Sequence, residues 1–342
     1  MYTRREFGKS AIAWASTAGV ALAWRHALAG RVEAAPAPLQ SEVRGVKLGI
    51  ITGSLGGGGG AGRGPATPGA PPPTSPAPMT VDAIVEGCLG VGYANIEYSG
   101  PAVGMPRLVD SVNFGQPPNP ITPAYANSRD AVREWRLTAP LDPFLDARKK
   151  FKDAGLNWFS GVNTISDDCT DAEIDAMFKQ MQAMGVDRFC TNQTRVSQGP
   201  RLVEFANKYN IQPAWHTHDK SEDPNEVASR ESLEKLMAMS PHYWINLDIG
   251  HYTAGNQDAP AFIRDHHDRI SHLHVKDRKK DHGPNVAWGT GDTPIVECLR
   301  LIRDNKYPII VLIEREYHGP NDGTPVEETR KDMDYMVKAL ES

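Results

Sequence analysis

The sequence predicts an α/β chain closed into a (β/α)8 barrel, and three observations carry that expectation. Short β-rich runs alternate with helical patterns eight times along the chain, the signature of parallel strands with covering helices. The 342 residues suit one large barrel. No glycine turn that could cradle a dinucleotide, and no Walker loop, follows the first strand, which weighs against an open doubly wound sheet.

The strand candidates, in order, are Val46–Ile51, Tyr93–Tyr98, Asn157–Val162, Arg188–Thr191, Gln212–His216, Tyr243–Asp248, Ile270–Val275 and Ile309–Glu314. Helical patterns lie between them at Thr80–Leu89, Leu141–Ala154, Asp171–Met184, Pro200–Tyr209, Ser232–Met239, Ala259–His267, Thr293–Asn305 and Val326–Leu340. Several open on Thr, Ser or Asp, whose side chains can accept from the free N–H groups of a first turn. Eight such units make a single TIM-barrel domain over 46–340.

Two stretches break the alternation. Residues 54–79 read SLGGGGGAGRGPATPGAPPPTSPAPM, a Gly/Pro-rich insertion without an apolar period, expected to be a disordered loop after the first strand. Residues 99–128 follow the second strand and are expected to be irregular. Long loops after strands are where barrel enzymes carry substrate-specific parts.

The N-terminus reads as a targeting segment. Thr3-Arg4-Arg5-Glu6-Phe7-Gly8-Lys9 precedes an apolar run from Ala11 to Trp24, and Ala27-Leu28-Ala29 supplies an A-x-A exit. The paired arginines resemble a twin-arginine export signal, with Gly8 where an apolar residue is usual. The expectation is a signal peptide over 1–29, a linker over 30–45, and a periplasmic or extracellular mature protein without stable membrane association. The apolar run is short for a membrane span.

Hydrophobic residues make up 40% and charged residues 23%, ordinary for a globular protein. A net charge of −5 gives no basic excess for a phosphate backbone, so no nucleic-acid partner is expected. The four cysteines, Cys88, Cys169, Cys190 and Cys298, form no C-x-x-C pair and are expected to be buried small side chains, one long-range disulfide being the alternative.

Chemistry gathers at the strand ends. Glu97 ends the second strand, and Trp215-His216-Thr217-His218-Asp219 ends the fifth. Asp248-Ile249-Gly250-His251 ends the sixth, His272-Leu273-His274-Val275-Lys276-Asp277 spans the seventh, and Glu314-Arg315-Glu316 ends the eighth. In a barrel the carboxyl ends of all strands converge on one mouth. Mixed carboxylate and imidazole donors there suit one divalent metal, Mn, Co, Zn, Fe or Mg. His242, His266, His267, His282 and His318 are read as surface residues.

These residues resemble the xylose-isomerase-like barrels, a family of sugar isomerases and epimerases, inosose dehydratases and apurinic endonucleases. The resemblance lies in the D-x-G-H of Asp248–His251, the R-I-x-H-x-H-x-K-D of Arg269–Asp277, and the G-x-G-D of Gly289–Asp292. It implies a metal held by Asp248, His274 and Glu314. The fourth ligand, often a glutamate on strand five, is here assigned to His216, with His218 or Glu97 as alternatives. The resemblance further implies proton-transfer chemistry through an enediolate, with Glu97, Glu314 and His218 as catalytic candidates. His251, Lys276 and Trp215 are expected to bind substrate. The expected activity is isomerisation or epimerisation of a ketose or keto-sugar. Elimination from a 3-keto-glycoside or inosose is the alternative, and a homo-oligomer is compatible with the family. Two rivals are an endonuclease with two or three metals and a non-catalytic sugar-binding barrel; metal stoichiometry and chelator-sensitive turnover separate them.

Overall fold

The computed structural model describes residues 39–56, 79–99, 103–112, 116–319 and 322–342. Eight strands form the barrel: β1 (Val46–Ile51), β2 (Asn95–Tyr98), β3 (Asn157–Val162), β4 (Arg188–Cys190), β5 (Gln212–His216), β6 (Trp244–Asp248), β7 (Ile270–Val275) and β8 (Ile310–Ile313). Each pairs in parallel with the next. β8 returns to β1, with Leu48 opposite Val311 and Ile50 opposite Ile313, so the sheet closes and leaves no barrel edge open. This is the (β/α)8 TIM barrel that the alternation predicts.

Flanking helices are α1 (Val81–Val91), α2 (Pro123–Thr138), α3 (Asp142–Asp153), α4 (Asp171–Met184), α5 (Gly199–Tyr209), α6 (Arg230–Met239), α7 (Ile249–Ala254), α8 (Ala259–His266), α9 (Ile295–Asn305) and α10 (Pro325–Glu341). Their starts obey local chemistry. Thr170 and Thr324 form capping boxes with Glu173 and Glu327, and Thr80 and Thr122 cap α1 and α2. Each such cap stabilises its helix by about 1 kcal/mol. Apolar residues on the outer face of the strands, such as Leu247, Leu273 and Val311, are fully buried in the core shared with the helices.

Three expectations need correction. The stretch expected to be irregular over 99–128 ends in α2, which starts at Pro123. Its buried face is Tyr125, Arg129, Val132 and Arg136, so two arginines interrupt the apolar period that would have announced it. Arg129 is compensated by Glu173 at 2.6 Å and Asp168 at 3.1 Å. The insertion begins later than expected: Ser54 and Leu55 are buried in a 3-10 turn, and Ser54 Oγ bridges Ile313 O (3.1 Å) and Arg315 N (2.9 Å). The end of the expected linker, Glu42–Val43, folds back as a two-residue antiparallel strand on β1. The signal segment and most of the insertion lie outside the described residues. All four cysteines are buried and free. Among the described residues no helix is long and apolar enough to cross a membrane.

Candidate active site

The carboxyl ends of β5 to β8 bring His216, Asp248, His274 and Glu314 together, with one donor atom from each within 4.8 Å of the others. Each is the last inward residue of its strand or the first beyond it. Two further groups meet the same criterion: His216, His218 and His251 at the mouth, and Glu97, His272 and His274 deeper in the barrel.

The first group fits a divalent ion. It offers two imidazoles and two carboxylates, a donor set suited to a borderline metal. His216 Nδ1 is buried without any hydrogen-bond partner, a state that otherwise costs desolvation energy. Asp248 divides its oxygens: Oδ1 accepts from the His251 backbone N–H at 2.7 Å and caps α7. Asp248 Oδ2 makes no hydrogen bond; it is ion-paired with Lys276 Nζ at 2.9 Å, and His251 Nε2 stands 4.0 Å away. The carboxylate cluster thus already draws a cation.

Beneath it lies a polar layer. Glu97 is fully buried, with Oε1 2.8 Å from His274 Nε2 and Oε2 2.9 Å from His272 Nε2. Ser160 Oγ donates to Glu97 Oε2 at 2.6 Å. Glu97, expected to handle a substrate proton or to ligate the metal in place of His216, stands in the deeper group with His272 and His274 and not among the four donors at the mouth. Both its oxygens are engaged below the ligand group, where they orient His274, as a carboxylate behind a metal-binding histidine does. His274 Nδ1 reaches Glu314 Oε2 at 3.0 Å. The sequence reading missed His272 as a partner of Glu97; its period-two spacing from His274 was the available signal.

Trp215 also needs correction. It neighbours His216 on β5, so it points to the opposite face, packing on Tyr243 in the core at 5.3 Å between centroids with no exposed surface. It cannot touch a substrate in the mouth.

Lys276, 1% exposed, lies 2.9 Å from Asp248, 3.2 Å from Glu314 and 2.6 Å from Glu316. Its neighbour Asp277 serves the loop instead, accepting from the backbone N–H of Gly289 and Gly291 at 2.8 Å each. A Cβ on Gly291 would lie 1.9 Å from Asp277 Oδ1, which explains the glycine of the G-x-G-D stretch. Gly250 of D-x-G-H is explained in the same way, since a Cβ there would lie 2.7 Å from Lys276 O. His218 Nε2 meets Gln193 Nε2 (2.8 Å) and Asn192 Oδ1 (3.1 Å).

Electrostatics divide the histidines. Burial, then the charges of His218 and His274, hold His216 well below the usual histidine range. Burial and Lys276 depress His218 to about 4, and hold His251 low as well. His274 goes the other way: burial opposes its charge, but Glu314 and Glu97 outweigh burial and lift it to about 10. Glu314 is held low although burial opposes it, because Lys276 and His274 stand beside it.

The sign of metal binding against pH follows. An ion bound at His274 Nδ1 displaces a proton that this histidine holds up to about pH 10. Affinity should therefore rise by at least roughly tenfold per pH unit between pH 6 and 8, most steeply below about pH 7, where burial keeps a proton on Asp248 as well. Titration calorimetry across that range, in buffers of different ionisation enthalpy, reads the released proton. A pH-independent affinity would exclude His274 Nδ1 as a ligand.

The chain matches the xylose isomerase-like TIM barrel family over residues 191–339. It is similar to an inosose dehydratase of Clostridium tetani (strain Massachusetts / E88), 24% identical over 155 residues that cover 40% of this chain and 50% of the relative. The chain spans about half the length, or slightly less, of the curated relatives it matches. Its fold resembles the IOLI protein solved with a binding zinc atom, with a TM-score of 0.57, 13% identity, and coverage of 86% of this chain and 98% of that one. It also resembles a sugar phosphate isomerase/epimerase from Parabacteroides distasonis ATCC 8503, with a TM-score of 0.55, 16% identity, and coverage of 90% and 98%. The closed eight-stranded barrel is the fold of these structures, and residues 191–339, its later strands and their helices, are the part of the chain that is similar to the xylose isomerase-like TIM barrel family.

Proposed function

We propose that this protein is a divalent-metal-dependent lyase that removes the proton beside the carbonyl of a polyhydroxylated keto compound, a keto-sugar or inosose, and expels the β-oxygen. The observation that carries this reading is the convergence of His216, Asp248, His274 and Glu314 at the barrel mouth. An ion held by these four supplies Lewis-acid polarisation of a substrate carbonyl. His218, kept neutral with its pKa near 4, accepts the α-proton. Lys276, held charged by three carboxylates, donates a proton to the departing oxygen, which leaves as water or an alcohol.

Elimination is favoured over epimerisation by the burial of Glu97. Epimerisation through two carboxylates needs a second free carboxylate facing the substrate. Of the acids at the strand ends, Asp248 and Glu314 belong to the ligand group, Glu316 pairs with Lys276, and Asp219 pairs with Arg278. Likeness to an inosose dehydratase supports the same reading. Isomerisation is the second reading, since the same carbanion can be reprotonated. The twin-arginine-like sequence of residues 1–29, outside the described residues, supports export and with it a reaction in the periplasm or outside the cell.

Proton NMR in D₂O, with a panel of inososes, 3-keto-glucosides and ketoses, tests the proposal. The expected result is loss of the α-proton signal together with a new vinylic signal, both abolished by a chelator. Exchange without a vinylic product would move the assignment to isomerase. Binding without exchange would leave a sugar-binding barrel.

A further inference from the structure

The mouth holds an arginine that the sequence reading did not single out. Arg278, 8% exposed, follows β7 and reaches two neighbouring loops. Its Nη2 donates to Asp219 Oδ2 at 2.9 Å, after β5, and to Gly283 O at 2.8 Å. Its Nη1 meets His251 Nδ1 on α7. A guanidinium has five N–H groups and no acceptor, and it does not deprotonate in proteins. The nitrogen facing it must therefore offer a lone pair. His251 Nε2 lies on the ligand side, 4.0 Å from Asp248 Oδ2.

We propose that Arg278 is a positioning residue that fixes His251 as the Nε2–H tautomer, so that His251 presents a hydrogen-bond donor to the ligand group and does not itself ligate the metal. The inference rests on the proposed function only in what the donor serves, an oxygen of the bound substrate; the tautomer stands apart from it. It also decides between two of the histidine-containing groups in the mouth. His216, His218 and His251 lie close enough to hold an ion, but a His251 whose Nδ1 lone pair is taken by Arg278 and whose Nε2 carries the proton has no lone pair left to give. The ion belongs with His216, Asp248, His274 and Glu314.

Long-range 1H–15N correlation spectra of the 15N-histidine-labelled protein read the tautomer directly, with the His251 signals identified by their loss in His251→Gln. The expected spectrum has His251 Nε2 protonated and Nδ1 unprotonated, both without added metal and with zinc. Arg278→Met should release the constraint and give a tautomer mixture, whereas Arg278→Lys, which also only donates, should restore the Nε2–H form. Turnover on whichever substrate the panel reveals should fall about 10- to 100-fold in Arg278→Met, in kcat more than in KM, and recover in Arg278→Lys. A protonated Nδ1, a tautomer unchanged in Arg278→Met, or a zinc-induced coordination shift at His251 Nε2 would each overturn the inference. Absence of turnover alongside the expected tautomer would count against the proposed function and leave the inference standing.

Discussion

Asp248→Asn is expected to strip the protein of its metal and to lower turnover by about a thousandfold or more, while leaving the fold intact. A Lewis acid contributes several kcal/mol of transition-state stabilisation, and each 1.36 kcal/mol is tenfold in rate. The amide is chosen because Asp248 has two tasks. Its Oδ1 caps α7 through the His251 N–H at 2.7 Å, which an asparagine oxygen can still do. Its Oδ2 belongs to the ligand group and faces Lys276 at 2.9 Å, where only a charged oxygen serves. Metal analysis should show about one ion per chain in the native protein and almost none in the variant, with the far-ultraviolet circular dichroism unchanged. Full metal content in Asp248→Asn would sink the ligand assignment.

Much of this site is legible in the sequence because barrel geometry does the assembling. Asp248, His274 and Glu314 sit at the ends of three consecutive strands, and closure carries strand ends to one mouth. Parity is legible too: once His216 faces inward, its neighbour Trp215 faces the helices. Depth is harder to read. Glu97 pairs with Ile51 and Ser160, with a register shift between Ile96 and Glu97, and such a shift decides whether a strand-end acid reaches the mouth or stays below it. The role of Arg278 depends on three loops meeting, Asp219 after β5, His251 after β6 and its own after β7, and nothing in a one-dimensional pattern announces that. Helix α2 is hidden for a different reason: its buried face carries Arg129 and Arg136, and the counter-ions of Arg129 lie some forty residues away, so its core side does not read as apolar.

The second large effect concerns Lys276. Its ammonium is buried among Asp248, Glu314 and Glu316, and removing one member of a buried charge cluster typically costs 3–5 kcal/mol because the remaining charges lose their compensation. Lys276→Met should therefore destabilise the metal-free protein, with a melting temperature lower by roughly 5–10 °C. The sign against pH is set by Asp248, whose carboxyl burial lifts to about 7 even with the ammonium beside it. Without the ammonium the chief offset to that burial is gone, so the folded state binds more protons than the unfolded chain and the variant loses further stability as pH rises through that range. A divalent ion held by the ligand group would bring back two positive charges beside Asp248 and Glu314. Saturating metal should then raise the melting temperature of Lys276→Met more than that of the native protein, yet leave turnover low, because the proposed proton donor to the departing oxygen is gone. Differential scanning calorimetry with and without zinc separates these effects. Equal metal-induced shifts in the two proteins would mean that Lys276 and the ion do not share the carboxylates, and the ligand group would have to be redrawn around the histidines.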